Sequence, residues 1–260
     1  MIKTLKAVAI AALALSGAAQ AAVIDRVDLF TVSQTTVADN TVDLTAVLAA
    51  QAGPDASILG GYRDLLVDLK ANGGVNSRKG EIGVDGGFLD FSTSTGASAT
   101  GTVRWDGSAS AAGIDAIGLR NGGAIGLNFA NALTDFFELH IEFADGGFKF
   151  VLEAYTDAAN WSKVEITSNQ HLSPTVSYIP LAAFLDCTNM FPVPGVNVTC
   201  GGAGVDFSNL GALQAVIDPN GVFTSLDLTL GKALVPEPGA LALVGLALAG
   251  AGLATRRRKA

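Results

Sequence analysis

Histidine, cysteine and tryptophan each occur only twice in this chain of 260 residues, and lysine and arginine together number 16. Each scarcity excludes something. Two histidines, His140 and His171, are too far apart for the short spacings of a zinc site. Two cysteines without a C-x-x-C spacing exclude a thioredoxin-like redox motif and a cysteine-rich metal knuckle. No G-x-S-x-G elbow and no EF-hand loop spacing occurs. With 24 acidic residues and no basic run before the last few positions, the chain is poorly suited to nucleic acid or to anionic lipid headgroups.

What is abundant lies at the ends and in the turns. The mean hydropathy of +0.41 is high for a soluble domain, and much of the excess comes from the termini. Residues 1–21 carry Lys3 and Lys6, an apolar run from Ala7 to Leu15, and then small residues ending Ala19-Gln20-Ala21. This is the anatomy of a secretory signal peptide, with the cut expected between Ala21 and Ala22. The apolar run falls far short of the ~20 residues that span a bilayer. At the other end, residues 239–255 contain no charge and have the minimum length of a spanning helix, ~17 residues. Arg256, Arg257, Arg258 and Lys259 follow at once, a cluster that favours a cytoplasmic C-terminus and an exported body.

Pro236-Glu237-Pro238, then the apolar stretch, then the terminal basic cluster resemble the PEP-CTERM sorting signal. The resemblance covers residues 235–260. It implies an exported protein of a Gram-negative bacterium that makes extracellular polysaccharide. In that family the tail is recognised by a membrane-embedded processing enzyme, an exosortase. The physical logic agrees: the two prolines cannot continue a helix upstream and push their neighbours toward an extended form that an enzyme can thread. The alternative is a plain C-terminal membrane anchor.

The body, residues 22–234, is acidic. About 10 basic residues face 23 acidic ones, and 18 of the chain's 24 acids are aspartate, many of them beside glycine or asparagine in turn-forming pairs. Its periodicity is mostly two. In Asp135–Thr156, Phe137, Leu139, Ile141 and Phe143 alternate with Glu138, His140 and Glu142; after Asp145-Gly146 the alternation resumes at Phe148. Asp-Gly between alternating runs predicts a two-residue β-hairpin, with Phe143 opposite Phe148 and Glu142 opposite Lys149. Further strands are expected at 61–70, 88–91, 101–105, 161–167, 175–179 and 222–230. Only 206–217 suggests a helix, with Asp206 or Ser208 as its cap. The expected fold is all-β, an antiparallel sandwich of jelly-roll or lectin-like type, flanked by the signal helix and the C-terminal transmembrane helix. Cys187 and Cys200, in an exported protein, are expected to form a disulfide worth ~3 kcal/mol for a loop of this length.

Chemistry is thinly marked. Glu138, His140 and Glu142 share one strand face, where they could ligate a metal or act as acid and base on a glycoside. A solvated polar face with Glu142 paired to Lys149 is the preferred reading, because acids tuned for catalysis need a pocket and nothing in the sequence implies one. His171 could join a Ser-His-Asp triad, but no motif supports one. The Asp-Gly loops could bind calcium, although turn chemistry explains them. Trp105, Trp161, Tyr62, Tyr155 and Tyr178 could stack on sugar rings, with Trp105 the best fit to a core position. Thr93 and Thr95 begin a threonine row of the ice-binding kind that breaks at Gly96. No catalytic residue, metal site or cofactor is assigned. Three readings stand: a non-enzymatic surface or matrix protein, a carbohydrate-binding module or adhesin for extracellular polysaccharide, and a glycan-active hydrolase.

Overall fold

The computed structural model of the chain describes residues 26–110, 113–121, 136–188 and 196–235. The signal peptide with Ala21 and Ala22, the Pro236-Glu237-Pro238 tripeptide, the apolar stretch 239–255 and the basic cluster all lie outside the described residues. Among the described residues, no helix is long and apolar enough to cross a membrane.

The described residues form fourteen strands in chain order: β1 (Arg26–Asp28), β2 (Gln34–Asp39), β3 (Val47–Leu48), β4 (Asp64–Ala71), β5 (Gly80–Asp85), β6 (Phe88–Thr93), β7 (Ser98–Trp105), β8 (Phe136–Ala144), β9 (Phe148–Tyr155), β10 (Trp161–Ser168), β11 (Thr175–Pro180), β12 (Val196–Gly201), β13 (Ala212–Ile217) and β14 (Asp227–Leu234). They build two seven-stranded antiparallel sheets. The first runs β11-β8-β14-β6-β5-β2, with β1 also paired to β14; the second runs β12-β10-β9-β13-β7-β4-β3.

Alternation decides which side of each strand is buried. In β4, Leu65, Val67 and Leu69 are fully buried, as are Ala99 and Val103 in β7 and Ile217 in β13. Each such aliphatic side chain contributes roughly 1.5–3 kcal/mol on burial. Gly101 of β7 lets the sheets approach: a Cβ there would come within 2.7 Å of the Phe91 ring. One ion pair also lies between the sheets. Arg63 reaches both carboxylate oxygens of Asp28 at 3.0 Å, and Trp105 Nε1 donates to Asp28 at 2.8 Å. Trp105 is therefore a core residue, as expected.

The Asp135–Thr156 hairpin does not form. β8 pairs with β11 and β14 in the first sheet, whereas β9 pairs with β10 and β13 in the second. Residues 145–147 carry the chain from one sheet to the other. A type I′ turn needs positive φ at both central residues; neither Asp145 nor Gly146 has it. Asp145 binds Asp227 instead, its N–H donating to the Asp227 carbonyl at 3.1 Å and its carboxylate accepting the Asp227 N–H at 2.8 Å. Register between β8 and β14 slips near Phe143, which turns outward at 37% exposure while Ala144 is buried. Glu142 does not meet Lys149, which bonds Glu165 across β9 and β10 at 3.0 Å.

The helix expected at 206–217 is also absent. Asp206 caps a single 3-10 turn, Phe207–Asn209, by accepting the Ser208 N–H at 2.9 Å, and β13 follows. Leu213, Ala215 and Ile217 alternate into the core, so sheet pairing overrides helix propensity. The expected strand at 222–230 begins later, at Asp227, while the strands at 61–70, 88–91, 101–105, 161–167 and 175–179 form with shifted ends. The Cys187–Cys200 disulfide is present and ties β12 to the 3-10 turn Leu181–Leu185 beneath it.

Candidate binding face

Cross-strand register assembles a polar row on the outer face of the second sheet. Asp64 faces Arg104, Arg104 faces Gln214, Gln214 faces Glu153, and Glu153 faces Lys163. All five lie on the outer side of the sheet; Arg104, Gln214, Glu153 and Lys163 are partly exposed there, whereas Asp64 is buried at 1% exposure. The row is bonded along its length. Arg104 Nε donates to Gln214 Oε1 at 2.7 Å, and Gln214 Nε2 donates to Glu153 Oε2 at 2.9 Å. Lys163 Nζ lies 3.9 Å from Glu153 Oε1. At the β4 end, Gln51 Nε2 donates to Asp64 Oδ1 at 2.7 Å.

One register step away, Tyr155 lies opposite Trp161 on the same face. Both rings are half-buried. The Trp161 indole packs over Gly201 of β12, where a Cβ would fall 2.2 Å from its Nε1, so only glycine leaves room for the ring. Tyr155 Oη donates to Glu153 Oε2 at 2.7 Å. Burial, and then the Glu153 carboxylate, pushes the Tyr155 phenol above its ordinary range, so it remains a neutral donor. Burial also raises the Asp64 carboxyl, against the Gln51 hydrogen bond and with the charge of Asp106 adding to it. The result is an aromatic pair edging a row of amide, carboxylate and cationic groups that is already ordered by its own hydrogen bonds.

Of the aromatics singled out by sequence, Trp161 and Tyr155 are therefore cross-strand neighbours, whereas Trp105 is in the core and Tyr178 stands 58% exposed on the first sheet against Phe136. Arg104, Gln214, Glu153, Lys163 and Asp64 were not signalled. Each looks like an ordinary outward position, and only long-range register brings them into one row.

The Glu138, His140, Glu142 set keeps its shared face on β8, with His140 Nε2 3.4 Å from Glu138 Oε2. Neither carboxylate is enclosed in a polar cleft; Glu138 borders a core cavity of about 30 Å³ whose other lining residues are apolar. His171 Nε2 lies 2.8 Å from Ser168 Oγ, and no carboxylate bonds His171 among the described residues. Thr93 is buried and bonded to Leu226, whereas Thr95 is exposed, so no threonine row forms. Two of the Asp-Gly carboxylates are taken up by backbone N–H groups: Asp106 accepts those of Ser108 and Asp115, and Asp145 accepts that of Asp227. Among the described residues, no three His, Cys, Asp or Glu side chains converge on a common point. A groove of about 370 Å³ opens elsewhere, between Pro54–Ile58 and Gly107, Gly118 and Leu119.

Comparison with known proteins places one part of the chain. Residues 234–259 match the family model described as the PEP-CTERM protein-sorting motif, so the tail is a sorting signal of that kind. No curated protein matches the sequence. Among solved structures, similarity is found to a family 11 carbohydrate-binding module from Clostridium thermocellum, in complex with a beta-1,3-1,4-mixed-linked tetrasaccharide. The two share 10% identity at a TM-score of 0.34, over 80% of this chain and 98% of that one. That likeness assigns no ligand to this chain.

Proposed function

We propose that this is an exported cell-surface or extracellular-matrix protein, sorted through its PEP-CTERM tail by an exosortase and without enzymatic activity of its own. The sorting motif at 234–259 is the observation that carries this reading. Residues 1–21 supply the export signal, the tail holds the precursor at the inner membrane, and the disulfide suits an oxidising destination. The absence of an enclosed carboxylate pair around Glu138 and Glu142 favours a binding or structural role over glycoside hydrolysis, which needs two acids flanking one bond. Intact mass of the protein recovered from an exosortase-bearing host tests the reading. A product lacking both residues 1–21 and the tail supports it; a product ending at Ala260 reduces the tail to an anchor.

A second reading has its own support in the outer face of the second sheet. There the Tyr155–Trp161 pair borders the Arg104–Gln214–Glu153 row, and this combination of ring surface with fixed donors and acceptors suits a sugar chain. The acidic body favours a neutral polysaccharide over a polyanionic one. Affinity electrophoresis through gels containing a neutral glycan tests this: Trp161→Ala and Gln214→Ala should each abolish retardation. If both variants and the parent migrate alike in every glycan tested, the face is not a sugar site.

A further inference from the structure

The sorting motif does not begin where the fold ends. Its match starts at residue 234, yet Leu234 is the last residue of β14, paired with Arg26 of β1 on one side and Glu138 of β8 on the other. Val235 follows with only 2% of its surface exposed. The first residue of the motif is therefore built into the first sheet, in a strand with neighbours on both sides, and the second is buried just past the strand end. Pro236 comes next, with no intervening linker.

Two geometric consequences follow. Pro236–Pro238 spans at most ~11 Å when fully extended. While the apolar stretch from Gly239 sits in the membrane, this end of the sandwich is held against the membrane face. The antiparallel pairing of β1 with β14 also sets Arg26, the first described residue, beside Leu234. The expected new N-terminus at Ala22 is four residues from that point. The two points at which the terminal segments join the body thus lie at the same end of it.

A processing enzyme takes its substrate as an extended segment, and residues locked in a sheet cannot be threaded. We propose that the folded body gates the processing of its own tail: the β1–β14–β8 junction holds Leu234 and Val235 and must open locally before the region around Pro236 can enter the enzyme. This rests on the reading that the tail is processed. Local opening of a strand end is a low-energy event compared with global unfolding, so the gate slows maturation without forbidding it.

The test is a ten-residue Gly/Ser linker inserted between Val235 and Pro236 of the full precursor, with maturation followed by pulse–chase and intact mass in the exosortase-bearing host. The linker variant should mature about tenfold faster than the parent, the ratio that corresponds to ~1.4 kcal/mol of opening free energy. Equal rates for two processed proteins overturn the gate while leaving the sorting reading intact. If neither protein loses its tail, the processing reading fails and the gate falls with it. Hydrogen exchange on the purified full chain supplies an independent check: the amides of Leu234 and Val235 should exchange about tenfold more slowly than free chain, yet faster than those of Leu228 and Leu230 at the strand centre. Exchange at the rate of free chain at those two positions also overturns the proposal.

Discussion

The guanidinium of Arg63 meets the carboxylate of Asp28 at 3.0 Å with neither side chain exposed to solvent, joining β1 to the second sheet through the middle of the core. Gln34 accepts from Arg63 Nε at 2.9 Å, and Trp105 donates to Asp28, so every strong polar group in the cluster is engaged. Such a pair is costly to break from one side, because the surviving charge stays buried. Burial pushes the Asp28 carboxyl upward, more than Arg63 pulls it down. Arg63→Ala should therefore cost ~3–5 kcal/mol in urea unfolding at pH 7. The loss should shrink toward pH 4, where protonation relieves the stranded Asp28. The double variant Arg63→Met with Asp28→Asn should recover part of the loss at neutral pH.

Asp-Gly-Gly-Phe occurs twice, at 85–88 and 145–148, and the two copies fold differently. At the first, Asp85 pairs with Phe88 and the turn glycines have φ of 59° and 91°. The second connects two sheets with no positive φ. Gly86→Ala places a side chain in the left-handed region with open space around it, and should cost ~1–2 kcal/mol in unfolding free energy. Gly146→Ala, where the nearest atom to a Cβ is Leu226 Cδ1 at 4.0 Å, should be neutral or stabilise by up to ~1 kcal/mol by restricting the unfolded chain. Equal losses in thermal unfolding at both positions would show that the second copy is a tight turn after all.

The same tetrapeptide explains how far the sequence could be read. Alternation correctly marked β8 and β9 as strands and sorted Phe137, Leu139 and Ile141 from Glu138, His140 and Glu142. It could not say which strands were partners, because a local turn signal describes the turn and not the sheet to which each arm belongs. Phe148 is fully buried where Phe88 is 40% exposed, and that difference arises from packing between sheets. The candidate face was partly hidden for the same reason. Trp161 and Tyr155 stood out by residue type, whereas Arg104 and Gln214 are 110 positions apart and meet only through strand register. The disulfide and the tail, by contrast, were readable because each depends on residue identity at short range.

The Cys187–Cys200 bridge closes a short loop at the edge of the second sheet, next to β12. Among the described strands β12 pairs only with β10, so it depends on that staple more than a central strand would. Reduction, or Cys187→Ser with Cys200→Ser, should lower unfolding free energy by ~3 kcal/mol in equilibrium urea titrations. In hydrogen exchange, the loss should appear first in β12 and in the Trp161 end of β10. A uniform loss across both sheets would show that the bridge constrains the whole domain and not this edge.

Asp218 closes the turn before β14, accepting the N–H groups of Val222 and Phe223 at 3.0 Å from a fully buried position with φ of 47°. Burial raises its carboxyl to about 6, against those two hydrogen bonds and the nearby Lys149 charge. The ordinary value is 3.8, so the folded protein binds this proton more tightly than the unfolded chain does. The sign follows: the stabilising contribution of protonated Asp218 is complete below pH ~4 and is lost as pH rises through about 6. Asp218→Asn keeps one amide oxygen as an acceptor and cannot ionise. At pH 4 it should be less stable than the parent by ~1 kcal/mol, because its amide NH2 faces one of the two N–H donors. At pH 7 it should be more stable by about 1 kcal/mol, allowing for solvent screening near the turn. A variant less stable than the parent at both pH values would mean that the two backbone hydrogen bonds outweigh the cost of burying the charge.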